Sequence, residues 1–251
     1  MDGSTPDIHE YFKGKGSFNK TIQGIKNLQK YNLPVSTLFT LNKINLPNLI
    51  DTIKFNEELG IDSMSVMVVC PTGRSSSGEL LINKENWYPI FLELSKLKKS
   101  NKIKLNFKIV PPNESDLFWL YYFPLKHYNK LDLLSVWNQP EFEKYSNKET
   151  REISCTAGIS SCYIDSNGDI YGCELMCGIN EFVAGNIKEK SLLKIWNESE
   201  VFNRFRNFDF ENIQGKCKNC EHTWCGGGYR SSAFNLGGSY YSSDESCFYK
   251  K

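Results

Sequence analysis

No surplus of either charge marks this chain: 30 Lys and Arg stand against 29 Asp and Glu, a formal net charge of +1. Binders of nucleic acid or anionic lipid concentrate cations to displace counterions, so this balance predicts no nucleic acid and no membrane among its partners. Long apolar runs are missing too, since no segment approaches the roughly 20 residues that cross a bilayer. The opening Met1-Asp2-Gly3-Ser4-Thr5 is polar and lacks the charged stretch and apolar stretch of a secretory leader. These absences together predict a cytoplasmic protein. No internal repeat or low-complexity tract breaks the chain, and 40% hydrophobic content over 251 residues can build a core without disulfides.

What the sequence does have is clustered cysteine. Of nine, Cys70 stands alone, and Cys155, Cys162, Cys173, Cys177, Cys217, Cys220, Cys225 and Cys247 crowd the C-terminal part. In a reducing compartment clustered thiols bind metal more often than they pair. The odd total also leaves at least one thiol over in any disulfide scheme.

Before the cluster, two periodicities alternate. Phe18, Ile22, Ile25 and Leu28 recur at helical spacing until Asn32-Leu33-Pro34 stops them. Val35 to Leu41 then reads as a strand, and Asn45 with Pro47 opens a helix carrying Leu49, Ile50 and Ile53 that ends at Gly60. Met64 to Val69 is a second strand. A helix follows with Trp87, Ile90, Phe91, Leu94 and Leu97 on one face, and Ile103, Leu105, Phe107 and Ile109 alternate as a third strand. Such αβ alternation predicts a parallel sheet covered by helices. Its working loops would be Leu41 to Asn45 and Cys70-Pro71-Thr72-Gly73-Arg74, after the carboxyl ends of strands. Taken alone, Arg74 reads as a solvated arginine in a turn. Pro111-Pro112-Asn113 breaks the pattern, and the aromatic run Phe118 to Phe123 is expected to be packed between domains.

Within the cluster, Cys217-x2-Cys220 is a knuckle spacing that serves zinc and iron–sulfur clusters alike. Cys225 and Cys247 complete four thiolates, which leaves His222 a neighbouring polar role. Upstream, Tyr163 to Tyr171 reads as two short strands around Asn167-Gly168, a strong hairpin signal. The hairpin presents Cys162 and Cys173 at its ends. With Cys155 these make three ligands, and Cys177 is a candidate fourth.

The run Cys155, twelve residues, Gly168, four residues, Cys173, then Cys217-x2-Cys220-x4-Cys225 and a late Cys247 resembles the SPASM domain of radical S-adenosylmethionine enzymes that modify peptides and proteins. Sulfatase-maturating and ribosomal-peptide maturases are such enzymes. Ala184-Gly185-Asn186-Ile187, Ser191 to Trp196 with the helix through Phe202, Phe205 and Arg206, and Cys225-Gly226-Gly227-Gly228-Tyr229-Arg230 fit the same domain. Asp2-Gly3, Ile8-His9-Glu10, Lys13 to Phe18 and the Thr21 to Leu28 helix resemble the segment after the fourth strand of the radical barrel, and Pro71 to Arg74 the loop after the sixth. The fold class implied is α/β: the C-terminal half of a radical-SAM (β/α) barrel over 1–112, a connecting segment over 113–150 and a small α+β SPASM domain over 151–251.

By position, the resemblance implies that Cys217, Cys220, Cys225 and Cys247 ligate an auxiliary 4Fe-4S cluster farther from the reaction centre. Cys155, Cys162 and Cys173 would ligate a nearer one. Tyr229 stands where the family usually has the cysteine that completes the nearer cluster, which implies an open iron, an unusual ligand or no intact cluster there. Glu174, next to Cys173, occupies the place of a catalytic base in sulfatase-maturating relatives. The family's Cys-x3-Cys-x2-Cys, which binds S-adenosylmethionine through its cluster, does not occur in this sequence. Cys173-x3-Cys177 begins the spacing, but Asn180 holds the third position. The chain thus resembles the C-terminal part of such an enzyme, and alone is expected not to cleave S-adenosylmethionine.

Implied partners are a peptide or protein substrate, a reductant such as a flavodoxin or ferredoxin, and the missing N-terminal half or another chain. Two readings stand beside the enzymatic one. One is a non-catalytic iron–sulfur protein that binds peptide or carries electrons, and the other is an interaction module holding zinc.

Overall fold

The computed structural model describes residues 1–110, 116–138, 151, 153–222 and 225–248. The chain divides into two compact units. Of the described residues, the first contains 1–69, 79–110 and 116–138; the second contains Cys70–Gly78 and everything from Arg151 onward.

In the first unit, α1 (Pro6–Lys13) starts on a proline at its first turn and α2 (Ser17–Lys30) buries Phe18 and Ile25. Strands β1 (Ser36–Leu41), β2 (Ser63–Val68) and β3 (Asn106–Val110) lie in the order β1-β2-β3, all parallel. Ser36 pairs with Ser63 and Met64 with Phe107. The crossovers are α3 (Leu49–Glu58), after a short 3-10 turn, and α4 (Lys84–Lys99). The parallel sheet read from the sequence is therefore present; among the described residues it has three strands and does not close into a barrel.

Its two faces differ. Thr37, Phe39, Leu41, Met64, Val66, Val68, Phe107 and Ile109 are buried under the helices. On the other face Leu38 is 50% and Met67 39% exposed, unlike the usual parallel sheet, which is covered on both sides. Helix α4 is fixed at its start by a reciprocal capping box between Asn83 and Asn86 (3.0 Å each way), which satisfies otherwise orphaned N–H groups.

The aromatic run forms a π-helical turn (Phe118–Tyr122) leading into α5 (Phe123–His127). Several of its side chains pack within the first unit. Trp87 Nε1 donates to the Leu120 carbonyl (2.9 Å), the Tyr121 hydroxyl to the Ile109 carbonyl (2.5 Å) and Trp137 Nε1 to Ser95 Oγ (2.9 Å). Phe91 meets Tyr121 edge-on and stacks on Trp137. Indole and phenol rings bury well only when their polar tips find acceptors, and here each does. Residues 113–115 and 139–150 of the expected connecting segment lie outside the described residues.

The second unit has little regular structure. The expected hairpin is β4 (Tyr163–Ile164) against β5 (Asp169–Tyr171), with β6 (Gly185–Asn186) added antiparallel to β5. Asp165 Oδ1 accepts from the N–H groups of Asn167 (2.8 Å) and Asp169 (2.9 Å), and Gly168 turns at φ 91°. The helix expected through Phe202, Phe205 and Arg206 is α7 (Glu200–Arg206); it follows α6 (Leu192–Glu198), from which the extended Ser199 divides it. Last comes α8 (Arg230–Gly237), closed by the left-handed Gly238. The core is Met176, Phe182, Phe205, Phe208, Ile213 and Tyr240, with Cys155 and Cys217 buried in it.

Candidate metal centre

The upstream cysteines are placed by the hairpin. Gly172 lets β5 run against the chain at Ala157, since a Cβ there would stand 2.6 Å from the Ala157 methyl. That approach sets Cys173 beside Cys155. Cys155 is 3% exposed, and burial pushes its thiol up, with the Ala157 and Arg230 N–H groups opposing. Burial first, and then the Cys155 thiol, push Cys173 up to about 12, with the Leu175 and Met176 N–H groups opposing. Cys162 leaves the hairpin on the other side and packs with Ile170, Ile195 and Phe202. Cys177 and Glu174 are exposed, joined through the Cys177 N–H to the Glu174 carbonyl (3.2 Å).

Downstream, Cys217 ends a 3-10 turn and its N–H donates to Ser243 Oγ (3.1 Å). The Cys220 N–H reaches back to the Cys217 carbonyl (3.4 Å). Burial, with the Cys217 thiol as a smaller contributor, raises Cys220. Arg151 donates to the Cys217 carbonyl (2.9 Å) and Lys216 Nζ to the Cys247 carbonyl (3.0 Å), so the late cysteine's backbone is tied to the residue before Cys217. The Cys225 N–H donates to the His222 carbonyl (3.3 Å) at the entry to Gly226, Gly227 and Gly228, which take φ of 61°, 84° and 77°. Only glycine tolerates three such residues in succession.

Three expected positions therefore meet in one hydrophobic core, Cys155, Cys173 and Cys217. Close thiol neighbours occur in pairs, Cys155 with Cys173 and Cys217 with Cys220. Among the described residues no three Cys, His, Asp or Glu side chains draw close enough to hold a single metal ion. Tyr229 is half-buried at the start of α8, its N–H on Asp244 Oδ2 (2.9 Å).

Two charged residues escaped the sequence reading. Arg230 is fully buried and Asp244 nearly so, and both influence the Cys155 thiol. Their only signal in the sequence was an arginine directly behind three glycines and an aspartate three residues before Cys247. The chemistry of the buried thiols Cys155 and Cys217 suits a soft cation, which would deprotonate them, but among the described residues the side chains as placed do not form a closed ligand set. Arg230 Nε is buried and without a hydrogen-bond partner among the described residues.

An α/β unit with a parallel sheet and a turn-rich unit with buried cysteines define a class, and the comparisons agree with it. Residues 155–221 match the SPASM family, an iron–sulfur cluster-binding domain. Iron–sulfur clusters are the cofactor of that domain, and the resemblance to radical S-adenosylmethionine enzymes read from the sequence is borne out. Over its whole length the chain is 27% identical to an AdoMet-dependent heme synthase of Methanosarcina barkeri, of which it covers 66%. It is 25% identical over 235 residues to a cysteine-type anaerobic sulfatase-maturating enzyme of Clostridium novyi, covering 88% of this chain and 53% of the relative. Among solved structures, Streptococcus suis SuiB bound to S-adenosylmethionine superposes with a TM-score of 0.60 at 19% identity, covering 91% of this chain and 48% of SuiB. SuiB with its precursor peptide SuiA gives 0.58 at 18%, with the same coverage. The chain thus spans less than two thirds of each of these proteins. No helix of the described residues is long and apolar enough to cross a membrane.

Proposed function

We propose that this chain is the auxiliary-cluster part of a radical S-adenosylmethionine enzyme that modifies a peptide or protein. Cys217, Cys220, Cys225 and Cys247 hold one 4Fe-4S cluster, and Cys155, Cys162 and Cys173 hold a second, nearer the reaction centre. The observation that carries this reading is the meeting of Cys155, Cys173 and Cys217 in one buried core, within the stretch that matches an iron–sulfur domain. When bound, such clusters supply one-electron transfer, and an iron with an open position can also ligate substrate.

The chain's own residues do the rest. The core of Phe182, Phe205 and Tyr240 keeps water from Cys155 and Cys217, while exposed Glu174 stands one residue past Cys173 to take a proton from substrate. The reductant is a cytoplasmic flavodoxin or ferredoxin, and S-adenosylmethionine is cleaved elsewhere than in this chain, which has no Cys-x3-Cys-x2-Cys. A second reading replaces the peptide with a tetrapyrrole, and the 27% identity to heme synthase along the entire chain favours it.

Anaerobic reconstitution tests the reading. Two clusters give about eight iron and eight sulfide per chain, whereas zinc in place of iron contradicts it. S-adenosylmethionine turnover by the chain alone would contradict the assignment of its cleavage elsewhere. Binding of a peptide rather than a porphyrin to the reconstituted protein separates the two substrates.

A further inference from the structure

The chain as a whole is close to neutral, but its lysines are not evenly spread. Between Lys96 and Lys104 five of nine residues are lysine and none is acidic. Helix α4 ends inside this stretch, and Asn101 just beyond it turns left-handed at φ 52°. Lys96, Lys99 and Lys102 are exposed. Lys98 is half-buried, its Nζ on the Phe107 carbonyl (3.3 Å) and over the Phe107 and Trp137 rings, 4.5 and 5.3 Å from their centroids. The 3-10 turn Leu131–Trp137 is fastened beside them. Lys99 Nζ pairs with Asp132 Oδ2 (2.8 Å) and Trp137 Nε1 donates to Ser95 Oγ (2.9 Å), which brings Lys130 and the 40% exposed Leu131 to the same end of α4.

Cations in a last turn answer the carbonyl end of a helix, but that accounts for roughly half a charge. Asp132, paired with Lys99, answers one more. Lys96, Lys98, Lys99, Lys102 and Lys130 therefore keep a positive excess around one exposed leucine, an apolar spot inside a charged rim. The chemistry of the patch selects its partner. No arginine lies between residues 75 and 150, so the patch lacks the planar forks that grip phosphate in pairs. Its aromatic rings, Phe107 and Trp137, are buried and offer no nucleic-acid base a surface to stack on. Lysines on flexible stems act as point charges, which suits the steering of a carboxylate-rich protein surface into a brief encounter. Electron-transfer pairs are of that kind, small in area and weakly held.

We propose that the lysine end of α4, with Lys130 and Leu131, is the docking surface for an acidic one-electron donor protein. The inference rests on the reading that this chain carries clusters to be reduced, and it adds where the reductant meets the chain.

The test is the binding of an acidic flavodoxin to the anaerobically reconstituted full chain, followed by titration calorimetry at low and at high ionic strength. Lys96→Gln, Lys99→Gln and Lys102→Gln combined weaken binding about tenfold at low ionic strength and flatten its dependence on salt. Lys20→Gln, Lys26→Gln and Lys30→Gln combined, on the exposed side of α2, remove the same charge and change binding by less than about twofold. All six lysines are exposed, so neither variant disturbs a core. Equal losses in the two triple variants reduce the effect to net charge and overturn the proposal, as does a wild-type chain that leaves flavodoxin unbound at low ionic strength. Single-stranded RNA or anionic vesicles bound through Lys96, Lys99 and Lys102, with flavodoxin unbound, also overturn it. A chain that takes up its iron and fails these comparisons leaves the proposed function standing. A chain that takes up no iron overturns that function, and a docking surface for an electron donor with it.

Discussion

The first unit is held by apolar periodicity, and the second by polar clamps on turns. In the first, Trp87, Phe91 and Leu94 of α4 are fully buried beneath a three-stranded sheet, and each indole or phenol that goes under finds one acceptor. In the second, most strands are two or three residues long, and the chain is fixed by Arg151, Lys216, Arg230 and Asp244 reaching backbone groups. A fold of the first kind carries its stability in side-chain packing. One of the second kind has few regular hydrogen bonds to lose and leans on whatever its cysteines hold.

The largest difference expected follows removal of metal. Stripping the reconstituted chain with a chelator should abolish amide-exchange protection around residues 155–177 and 213–222, and leave protection in β1, β2 and α4 intact. Equal loss in both units would erase the comparison. Next in size, Trp87→Ala should cost about 3–5 kcal/mol as a buried aromatic replaced by a cavity, read as a lower urea midpoint for the first unit with iron content unchanged.

Cysteine reactivity sharpens the contrast within the second unit. In the metal-free protein Cys177, which is exposed, should alkylate first, and Cys155 last, because burial both hides its thiol and disfavours the thiolate. Mass spectrometry of timed samples reads the order. The smallest effect belongs to His9 in the first unit. The Asp2 N–H donates to its Nδ1 (3.1 Å), which requires an unprotonated nitrogen, and burial and then the nearby amino terminus lower its pKa below the ordinary 6.5. The unfolded chain therefore binds this proton more readily, so stability falls as pH drops below 6.5 toward the folded value. His9→Gln should flatten that decline in melts between about pH 7 and about pH 5.

How much of each unit was legible in the sequence follows from the same contrast. The helices at Phe18 and Trp87 and the strands ending at Leu41 and Val68 announced themselves because packing on a sheet requires helical and alternating spacing. The helix Pro6–Lys13 is less legible, since it is only eight residues long and His9 is its one buried residue. In the second unit the Asn167-Gly168 hairpin was legible from its turn chemistry. The cysteines were visible by spacing, but not that Cys162 faces a different cluster of apolar side chains from Cys155 and Cys173. Side choice on so short a hairpin depends on the neighbours α6 and α7 bring. Arg230 and Asp244 carried no periodic signal, because a buried charge is recognisable only by the carbonyls and N–H groups that answer it.

The most direct test of the account is the iron and acid-labile sulfide content of the anaerobically reconstituted chain, measured beside Cys155→Ser and Cys217→Ser. About eight iron per chain, falling by about half in each variant, is the expected result. Zinc in place of iron, or iron content that neither substitution changes, would contradict it.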